Sequence, residues 1–131
     1  MNREVSQRLE ELSHTVIGAA IKVHSALGAG LLESAYEHCL LYELRKQGIH
    51  AMAQVSLPIY YDGQEIEAGY RIDLLVENDL IIELKAVESL LPIHTAQVLS
   101  YLKMADKKLG LLINFNVTSL KRGIKRVINA L

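Results

Sequence analysis

The chain has 131 residues, half of them hydrophobic, and a formal net charge of −1. We therefore expect residues 1–131 to form a single domain with its own core, and not a protein that holds nucleic acid by charge alone. Its single cysteine, Cys39, excludes a disulfide framework and a cysteine zinc cluster and favours a reducing cytoplasm. No apolar run is long enough to cross a membrane, and the sequence starts with polar residues, so we expect no membrane association and no signal peptide.

Two helices are predicted in the first part of the chain. Apolar residues recur at helical spacing over 5–26, and Gly28 and Gly30 end this first helix. A second amphipathic helix is predicted over 31–47 and ends at Gly48. We therefore expect two neighbouring helices, joined by a short glycine-containing loop, before the first strand.

Three strands are predicted next, because the pattern changes to runs rich in β-branched and aromatic residues. Pro58 indicates an edge or a bulge in the first strand, and Gly69 indicates a bend in the second. The pair Asp62-Gly63 is typical of a two-residue hairpin turn between them. The three strands are predicted at 49–61, 64–76 and 80–87, with residues 77–79 as the second loop.

The rest of the chain is predicted to form a helix over 93–105, a buried strand over 109–115 and a last amphipathic helix over 118–130. Three strands in a meander, followed by a helical crossover to a fourth, make an α/β fold in which helices flank a mixed central sheet. One further helix is expected at each end of this core.

Charge is distributed unevenly along the chain. Residues 1–102 hold 7 Lys and Arg against 14 Asp and Glu, whereas residues 103–131 hold 7 against 1. A basic end beside an acidic body suits a site in which carboxylates hold a metal and a flanking surface contacts phosphates. A solvated helix face is the simpler interpretation of the same run. The outward cations of the predicted last helix are Lys121, Arg122, Lys125 and Arg126.

The predicted hairpin around Asn78 brings charged side chains together. With 77–79 as the loop, Asp73 lies directly opposite Glu83, and opposed residues project from the same face of a sheet. Because side chains alternate along a strand, Lys85 shares that face. The residues predicted to point the other way, into apolar packing, are Ile72, Leu74, Ile82 and Leu84.

Facing carboxylates in an apolar sheet repel each other, and desolvation adds several kcal/mol per ion unless it is compensated. Lys85 offsets one negative charge. A divalent cation would offset the remainder, and hard oxygen ligands with few protein contacts suit Mg²⁺ or Mn²⁺. A satisfied Asp–Lys–Glu ion network explains the same three residues without a metal, so both interpretations stay open here.

Two helix faces add candidate site residues. Glu33 and Tyr36 are three residues apart at the start of the second helix, and Gly30 permits a close backbone approach at the preceding turn. Each candidate also has a structural explanation, because a Glu favours a helix N-terminus and polar side chains hydrogen-bond at a sheet surface. The candidates that share one face of the third helix are His94, Gln97 and Tyr101.

Three motifs resemble those of a known superfamily, and the similarity covers nearly the whole chain. Asp73, followed ten residues later by Glu83-Leu84-Lys85, resembles the core motif of the PD-(D/E)XK nucleases. Gln97-x-x-x-Tyr101 resembles the additional motif of their RecB-like branch. Gly30-x-x-Glu33-x-x-Tyr36 looks like the signature of the GxxExxY proteins, small bacterial and archaeal proteins placed in that superfamily. Ile72 stands where the core motif has Pro, a departure that many branches share.

This resemblance implies a restriction-endonuclease-like αβββαβ core with extra N- and C-terminal helices. It also implies a nuclease that hydrolyses phosphodiester bonds of nucleic acid, either DNA or RNA, with Mg²⁺ or Mn²⁺ and a metal-activated water. By the same resemblance, the metal would be held by Asp73, Glu83, the carbonyl of Leu84 and Glu33.

The resemblance assigns roles to other residues as well. Lys85 would orient the attacking water or stabilise the charge that develops on the phosphate. Gln97 and Tyr101 would position the scissile phosphate or a metal-bound water. The accessory positions are Gly30, Tyr36, His24 and His94, although a histidine near a helix end is more often a packed or capping group.

Two other functions stay open at this point. The first is a catalytically dormant nuclease fold that acts in nucleic-acid binding or protein–protein interaction. The small size and near-neutral charge favour it, whereas the presence of all four core residues favours an enzyme. The second is a structural subunit, for which the hydrophobic composition leaves a homodimer or a larger protein partner open.

Overall fold

A computed structural model of the chain describes residues 5–130. Within that range the chain forms three α-helices and seven β-strands. The ends of the predicted domain, residues 1–4 and 131, lie outside the described residues. The elements are α1 (Gln7–Leu27), α2 (Glu33–Lys46), β1 (Ala51–Ser56), β2 (Ile59–Tyr61), β3 (Gln64–Ile66), β4 (Arg71–Val76), β5 (Leu80–Lys85), α3 (Pro92–Ala105), β6 (Leu109–Asn114) and β7 (Ile124–Ile128).

Five strands form the central sheet in the order β1-β4-β5-β6-β7. β4 and β5 pair antiparallel around the 77–79 loop, and β5 and β6 pair parallel, as their connection through α3 requires. At the two edges of the sheet, β1 pairs antiparallel with β4 and β7 pairs antiparallel with β6. The mixed sheet and the helical crossover predicted from the sequence are therefore confirmed.

Helices cover both faces of this sheet. α1 and α2 pack on one face, where Val16, Leu40 and Ile82 are fully buried in one hydrophobic cluster. α3 packs on the other face, where Val98 and Leu112 belong to a second cluster. The inner strands are thus buried on both sides, which explains their nearly continuous apolar runs. None of the helices within 5–130 has the length and apolar character that a membrane crossing requires.

Both ends of α1 follow from local sequence. The N–H of Leu9 donates to Oγ of Ser6 at 3.1 Å, which makes Ser6 the N-cap of the helix. Gly28 ends the helix with a φ of +74°, a conformation that favours glycine. The end of the first helix predicted at Gly28 is confirmed.

Each of the first two predicted strands is divided in two. Pro58, which has no N–H to donate, separates β1 from β2, and Gly69, at a φ of +81°, separates β3 from β4. β2 and β3 pair with each other as a hairpin outside the central sheet. The turn of this hairpin is Asp62-Gly63, with φ values of +53° and +72°, which confirms the predicted two-residue turn.

The predicted helix over 118–130 is wrong, and with it the extra C-terminal helix of the expected fold. The segment forms a 3₁₀ turn at Leu120–Gly123 and the strand β7. Leu120, Ile124 and Val127 have helical spacing, and this spacing led to the wrong prediction. The segment forms a strand because all six residues of β6 are buried, and a buried strand needs a hydrogen-bonding partner on each edge.

The tight packing of Gly123 gives a test of this C-terminal structure. A Cβ atom at Gly123 would lie 2.2 Å from the carbonyl oxygen of Asn114. Because that backbone atom cannot move away cheaply, we expect Gly123→Ala to lower the free energy of unfolding by about 2 kcal/mol or more. Urea denaturation of the variant and the wild type measures this difference.

Gly18→Ala is the matched control for this experiment. Gly18 lies exposed in α1, and nothing lies within 4 Å of a Cβ added there. The control is expected to gain roughly 0.5–1 kcal/mol, because alanine favours a helix interior over glycine. A stabilised Gly123→Ala would contradict β7 and favour the helix that the sequence predicted.

Candidate active site

β4 and β5 separate where their charged residues begin. Their antiparallel ladder stops at the pair Leu74 and Ile82. Beyond it, the N–H of Asp73 donates to Oε2 of Glu83 at 2.7 Å, and the N–H of Leu84 donates to Oδ2 of Asp73 at 2.9 Å. Each carboxyl group thus accepts a backbone hydrogen bond in place of a carbonyl. The three ladder pairs nearest the loop match the predicted register. Asp73 and Glu83 do not form a ladder pair and are joined instead through these two backbone-to-carboxyl hydrogen bonds.

The apolar neighbours of this pair pack as strand alternation requires, with one exception. Leu74, Ile82 and Leu84 lie in the cluster under α1 and α2, as predicted. Ile72 lies in the cluster under α3 instead, so its predicted direction is wrong. Alternation fails there because the ladder to β5 has ended and because Gln54, on β1, has a left-handed φ of +55°.

Burial makes ionisation of these carboxyl groups unfavourable. Glu83 is only 3% exposed. Burial, reinforced by the negative charge of Asp73, raises the pKa of Glu83 to about 8. Burial also raises the pKa of Asp73 above its ordinary value, although the hydrogen bond from Leu84 lowers it. When both groups are ionised, the pair therefore carries more negative charge than its surroundings offset.

Glu33 and Lys85 lie within electrostatic range of the pair. Glu33 is the first residue of α2. Partial burial of its carboxyl group raises its pKa; the positive charge of Lys85 lowers this pKa, and the negative charge of Asp73 raises it. Lys85 follows Glu83 on the same face of β5, and its positive charge lowers the pKa of both Asp73 and Glu83. The structure thus brings the four core residues named from the sequence into one neighbourhood.

Two further residues belong to this neighbourhood, and the sequence interpretation missed both. Nε2 of Gln54 donates to Oε1 of Glu37 at 2.6 Å and to Oδ1 of Asp73 at 3.4 Å. Glu37 is buried, and burial raises its pKa against the effect of the Gln54 hydrogen bond. A signal was present, because Glu37 is four residues after Glu33 and so lies on the same face of α2.

α3 contributes a polar face next to the carboxyl groups. Nε2 of Gln97 donates to Oη of Tyr101 at 3.1 Å. Tyr101 is buried in the cluster under α3 together with Leu112, the β6 partner of Glu83. Burial raises the pKa of Tyr101, and the negative charge of Glu83 raises it further. His94 caps the helix, because its Nδ1 accepts from the N–H of Leu91 at 2.9 Å.

Tyr36 fastens the loop that precedes α2. Its hydroxyl donates to the carbonyl of Gly28 at 2.7 Å and accepts from the N–H of Leu31 at 3.1 Å. Its ring is fully buried and stacks on Phe115 with centroids 4.4 Å apart. Gly30 lies in this loop at a φ of +94°, which only glycine adopts readily. Tyr36 and Gly30 therefore hold the start of α2, and with it Glu33, in position.

His24 has a packing role in this structure. Its Nε2 lies 2.7 Å from the carbonyl oxygen of Val117, and its ring is buried near Phe115. This contact ties α1 to the segment that follows β6. The structure therefore places His24 among packed residues, as is common for a histidine near a helix end.

The four C-terminal cations do not form the single outward face that was predicted. Lys125 and Arg126 are neighbours on β7, so their side chains leave opposite faces of the sheet. Arg126 forms an ion pair with Glu10 of α1. Arg122 and Lys125 line a cleft of about 260 Å³, whose wall also includes Glu88, Ser89 and Asn114. Lys121, the remaining cation of the four, is exposed on the 3₁₀ turn.

The carboxyl groups at this site are chemically suited to a divalent cation. Among residues 5–130, no three or more His, Cys, Asp and Glu side chains are already arranged as a metal site. The donors present are hard carboxylate oxygens, which Mg²⁺ and Mn²⁺ prefer. The high pKa of Glu83 arises from burial and from the charge of Asp73, and a bound cation would offset both. The residues therefore fit a divalent metal.

Comparison with known proteins gives one match. A family model described as the PD-(D/E)XK nuclease superfamily matches residues 10–127. The matched segment runs from α1 to β7 and includes every carboxyl group of the site. A search of curated proteins and a search of solved structures gave no match.

The raised pKa of Glu83 predicts how stability depends on pH without divalent metal. The folded protein keeps the proton up to about pH 8, whereas the ordinary value for the unfolded chain is 4.5. Stability from this group is therefore complete below the unfolded pKa and is lost as pH rises through the folded pKa. We expect the free energy of unfolding to fall by roughly 4 kcal/mol between pH 5 and pH 9.

Glu83→Gln tests this pH dependence, because an amide resembles the protonated carboxyl group and does not ionise. The variant should lose less stability than the wild type over the same pH range in urea denaturation with EDTA. Glu88→Gln makes the same substitution on an exposed residue and controls for the change in net charge. Identical pH profiles for Glu83→Gln and the wild type would show that the pKa of Glu83 is not raised in the folded protein.

Proposed function

The chain belongs to the PD-(D/E)XK nuclease superfamily, and we propose from this premise that it is a divalent-metal-dependent nuclease acting on phosphodiester bonds of nucleic acid. The observation that carries the proposal is the meeting of half-buried Asp73 with buried Glu83 beyond the end of the β4–β5 ladder, with Lys85 on the same face of β5 as Glu83. Such a group of charges is costly in an apolar sheet unless a cation or a substrate uses it.

The metal would be Mg²⁺ or Mn²⁺, held by Asp73, Glu83, Glu33 and the carbonyl of Leu84. When bound, it supplies a water of lowered pKa and neutralises phosphate oxygens. Support for this ligand set comes from the shared electrostatics of the three acids, since the charge of Asp73 raises the pKa of Glu83 and of Glu33.

Lys85 has the charge and the place to act on the phosphate. It follows Glu83 on the same strand face, and it is partly exposed. As an ammonium group it stabilises negative charge that develops on phosphate oxygens and orients the attacking water. Gln97 and Tyr101 would position the same phosphate, because they present an amide and a phenol beside Glu83.

Glu37 and Gln54 act as positioning residues in this proposal. Gln54 donates to Asp73 and to Glu37 with the same amide nitrogen, so it fixes the side chain of Asp73 against β1. Gly30 and Tyr36 are positioning residues as well, because they hold the beginning of α2, and with it Glu33, in place. Their arrangement favours assignment of the chain to the GxxExxY branch of the superfamily.

The substrate strand would follow a basic cleft beside the carboxyl groups. Arg122 and Lys125 line this cleft with Asn114, which is the partner of Lys85 in the parallel register of β5 and β6. Lys125 pairs with Leu112, on the face of the sheet that also carries Glu83. Phosphates of DNA or RNA held there would lie at the same end of the sheet as the proposed metal ligands.

Hydrolysis by purified protein tests the nuclease proposal. With Mg²⁺ or Mn²⁺, we expect the wild type to cleave single- or double-stranded DNA or RNA, and we expect a Glu83→Ala, Lys85→Ala double variant to cleave at least about 100-fold more slowly. Glu11→Ala, on an exposed residue of α1 outside the cleft, is the control for preparation quality. Equal rates in the double variant and the wild type on every substrate would exclude the proposed site and leave a dormant fold.

The salt dependence of binding tests the basic cleft. An Arg122→Ala, Lys125→Ala double variant should weaken oligonucleotide binding and reduce the slope of log K against log salt by about 1–2, because each lost phosphate contact releases fewer counterions. Arg126→Ala removes a cation from the same strand but from the opposite face, where Arg126 pairs with Glu10. A slope that changes equally in both variants would contradict a phosphate path along this cleft.

A further inference from the structure

A second cleft, of about 350 Å³, lies along α3. Its wall is formed by Tyr70, Ile93, His94, Gln97, Ser100, Tyr101 and Met104. Among the described residues that line it there is no Lys or Arg, in contrast to the basic cleft. The cleft therefore offers aromatic and aliphatic surface with a few hydrogen-bonding groups, and the Nδ1 atom of its one histidine, His94, already accepts from the N–H of Leu91.

Tyr70 presents a held but accessible ring to this cleft. The residue is 41% exposed, and its ring meets that of Tyr101 edge to face with centroids 6.0 Å apart and planes at 64°. Its carbonyl accepts from the N–H of Leu57 at 2.9 Å. Gly69 before it has a φ of +81°, so the chain turns immediately before the ring. Contacts on both backbone and ring thus hold Tyr70 in place before any ligand arrives.

The cleft adjoins the carboxyl site on two sides. Tyr70 is three residues before Asp73, and because an extended chain spans at most about 3.6 Å per residue, their Cα atoms are no more than roughly 11 Å apart. On the other side, Tyr101 lines the cleft and packs with Leu112, which is the β6 partner of Glu83. A group bound in the cleft would therefore sit beside a phosphate at the proposed metal.

We propose that this cleft receives an unpaired base of the substrate strand, adjacent to the scissile phosphate, and that the enzyme acts on single-stranded or locally unpaired nucleic acid. This inference rests on the proposed nuclease function of the neighbouring carboxyl site. Aromatic rings stack on any base, and the hydroxyl of Ser100, which has no role at the phosphate, suits a base edge. A paired base cannot enter, because in a duplex it is stacked on its neighbours and its edge is occupied.

The surface around the cleft has the same character. Leu91 and Ile93, at the start of α3, are 54% and 67% exposed. Exposed apolar side chains at the mouth of an aromatic cleft would contact the faces of further unstacked bases, whereas a duplex would present charged phosphates there. The near-neutral net charge of the chain agrees with a substrate held partly through its bases.

Binding of a fluorescein-labelled single-stranded oligonucleotide, followed by anisotropy with Ca²⁺ in place of Mg²⁺, tests the inference without requiring cleavage. Tyr70→Ala should weaken binding by roughly 5- to 10-fold, because one base loses its stacking partner. Tyr70→Phe should bind within about 2-fold of the wild type, because its ring is retained. Tyr42→Ala removes a tyrosine of α2 that is more exposed than Tyr70, and it should not change binding.

Oligonucleotides with one abasic position separate stacking from a general loss of structure. When the abasic position is scanned along the oligonucleotide, one position should lower the affinity of the wild type by the same 5- to 10-fold. At that position the affinity of Tyr70→Ala should not fall any further. Equal effects of Tyr70→Ala and Tyr42→Ala, additive abasic effects, or equal affinity for duplex and single strand would overturn the inference. Failure of the nuclease proposal would appear differently, as Tyr70-dependent binding without metal-dependent cleavage.

Discussion

Carboxyl groups that meet inside an apolar sheet lose hydration and repel each other, and the surrounding structure responds to that cost. β4 and β5 stop pairing where Asp73 and Glu83 begin, so two backbone N–H groups become free to donate to the two acids. Lys85 adds one positive charge on the same face. These compensations are partial, because burial still raises the pKa of Glu83 to about 8. A site left in this condition is suited to a ligand that brings positive charge.

The helices complete this site from both faces of the sheet. α2 supplies Glu33 at its first turn, and the turn is held by Tyr36, whose hydroxyl bonds to both sides of the preceding loop. α3 supplies Tyr101 from the opposite face. The carboxyl site is thus assembled from rigid elements whose positions are set by buried packing. Such positioning is what a metal-assisted reaction requires.

Much of this arrangement was predictable because it depends on local rules. The length of the 77–79 loop fixed the β4–β5 register, and the period of two placed Lys85 beside Glu83. The C-terminal strand was not predictable in this way, since Leu120, Ile124 and Val127 fit a helix and only the open edge of β6 makes them a strand. Gln54 was missed for a similar reason, because its contact with Glu37 joins elements that are distant in sequence.

The two backbone bonds that end the β4–β5 ladder have a spectroscopic consequence. The amide protons of Asp73 and Leu84 are bonded to carboxyl oxygens and not to carbonyls. Their NMR chemical shifts and their rates of exchange with deuterium will therefore follow protonation or cation occupancy of those oxygens directly. Each amide reports on the carboxyl group that it bonds, so the coupled titration of the two acids can be followed at both of them, with no label and no substrate added to the protein.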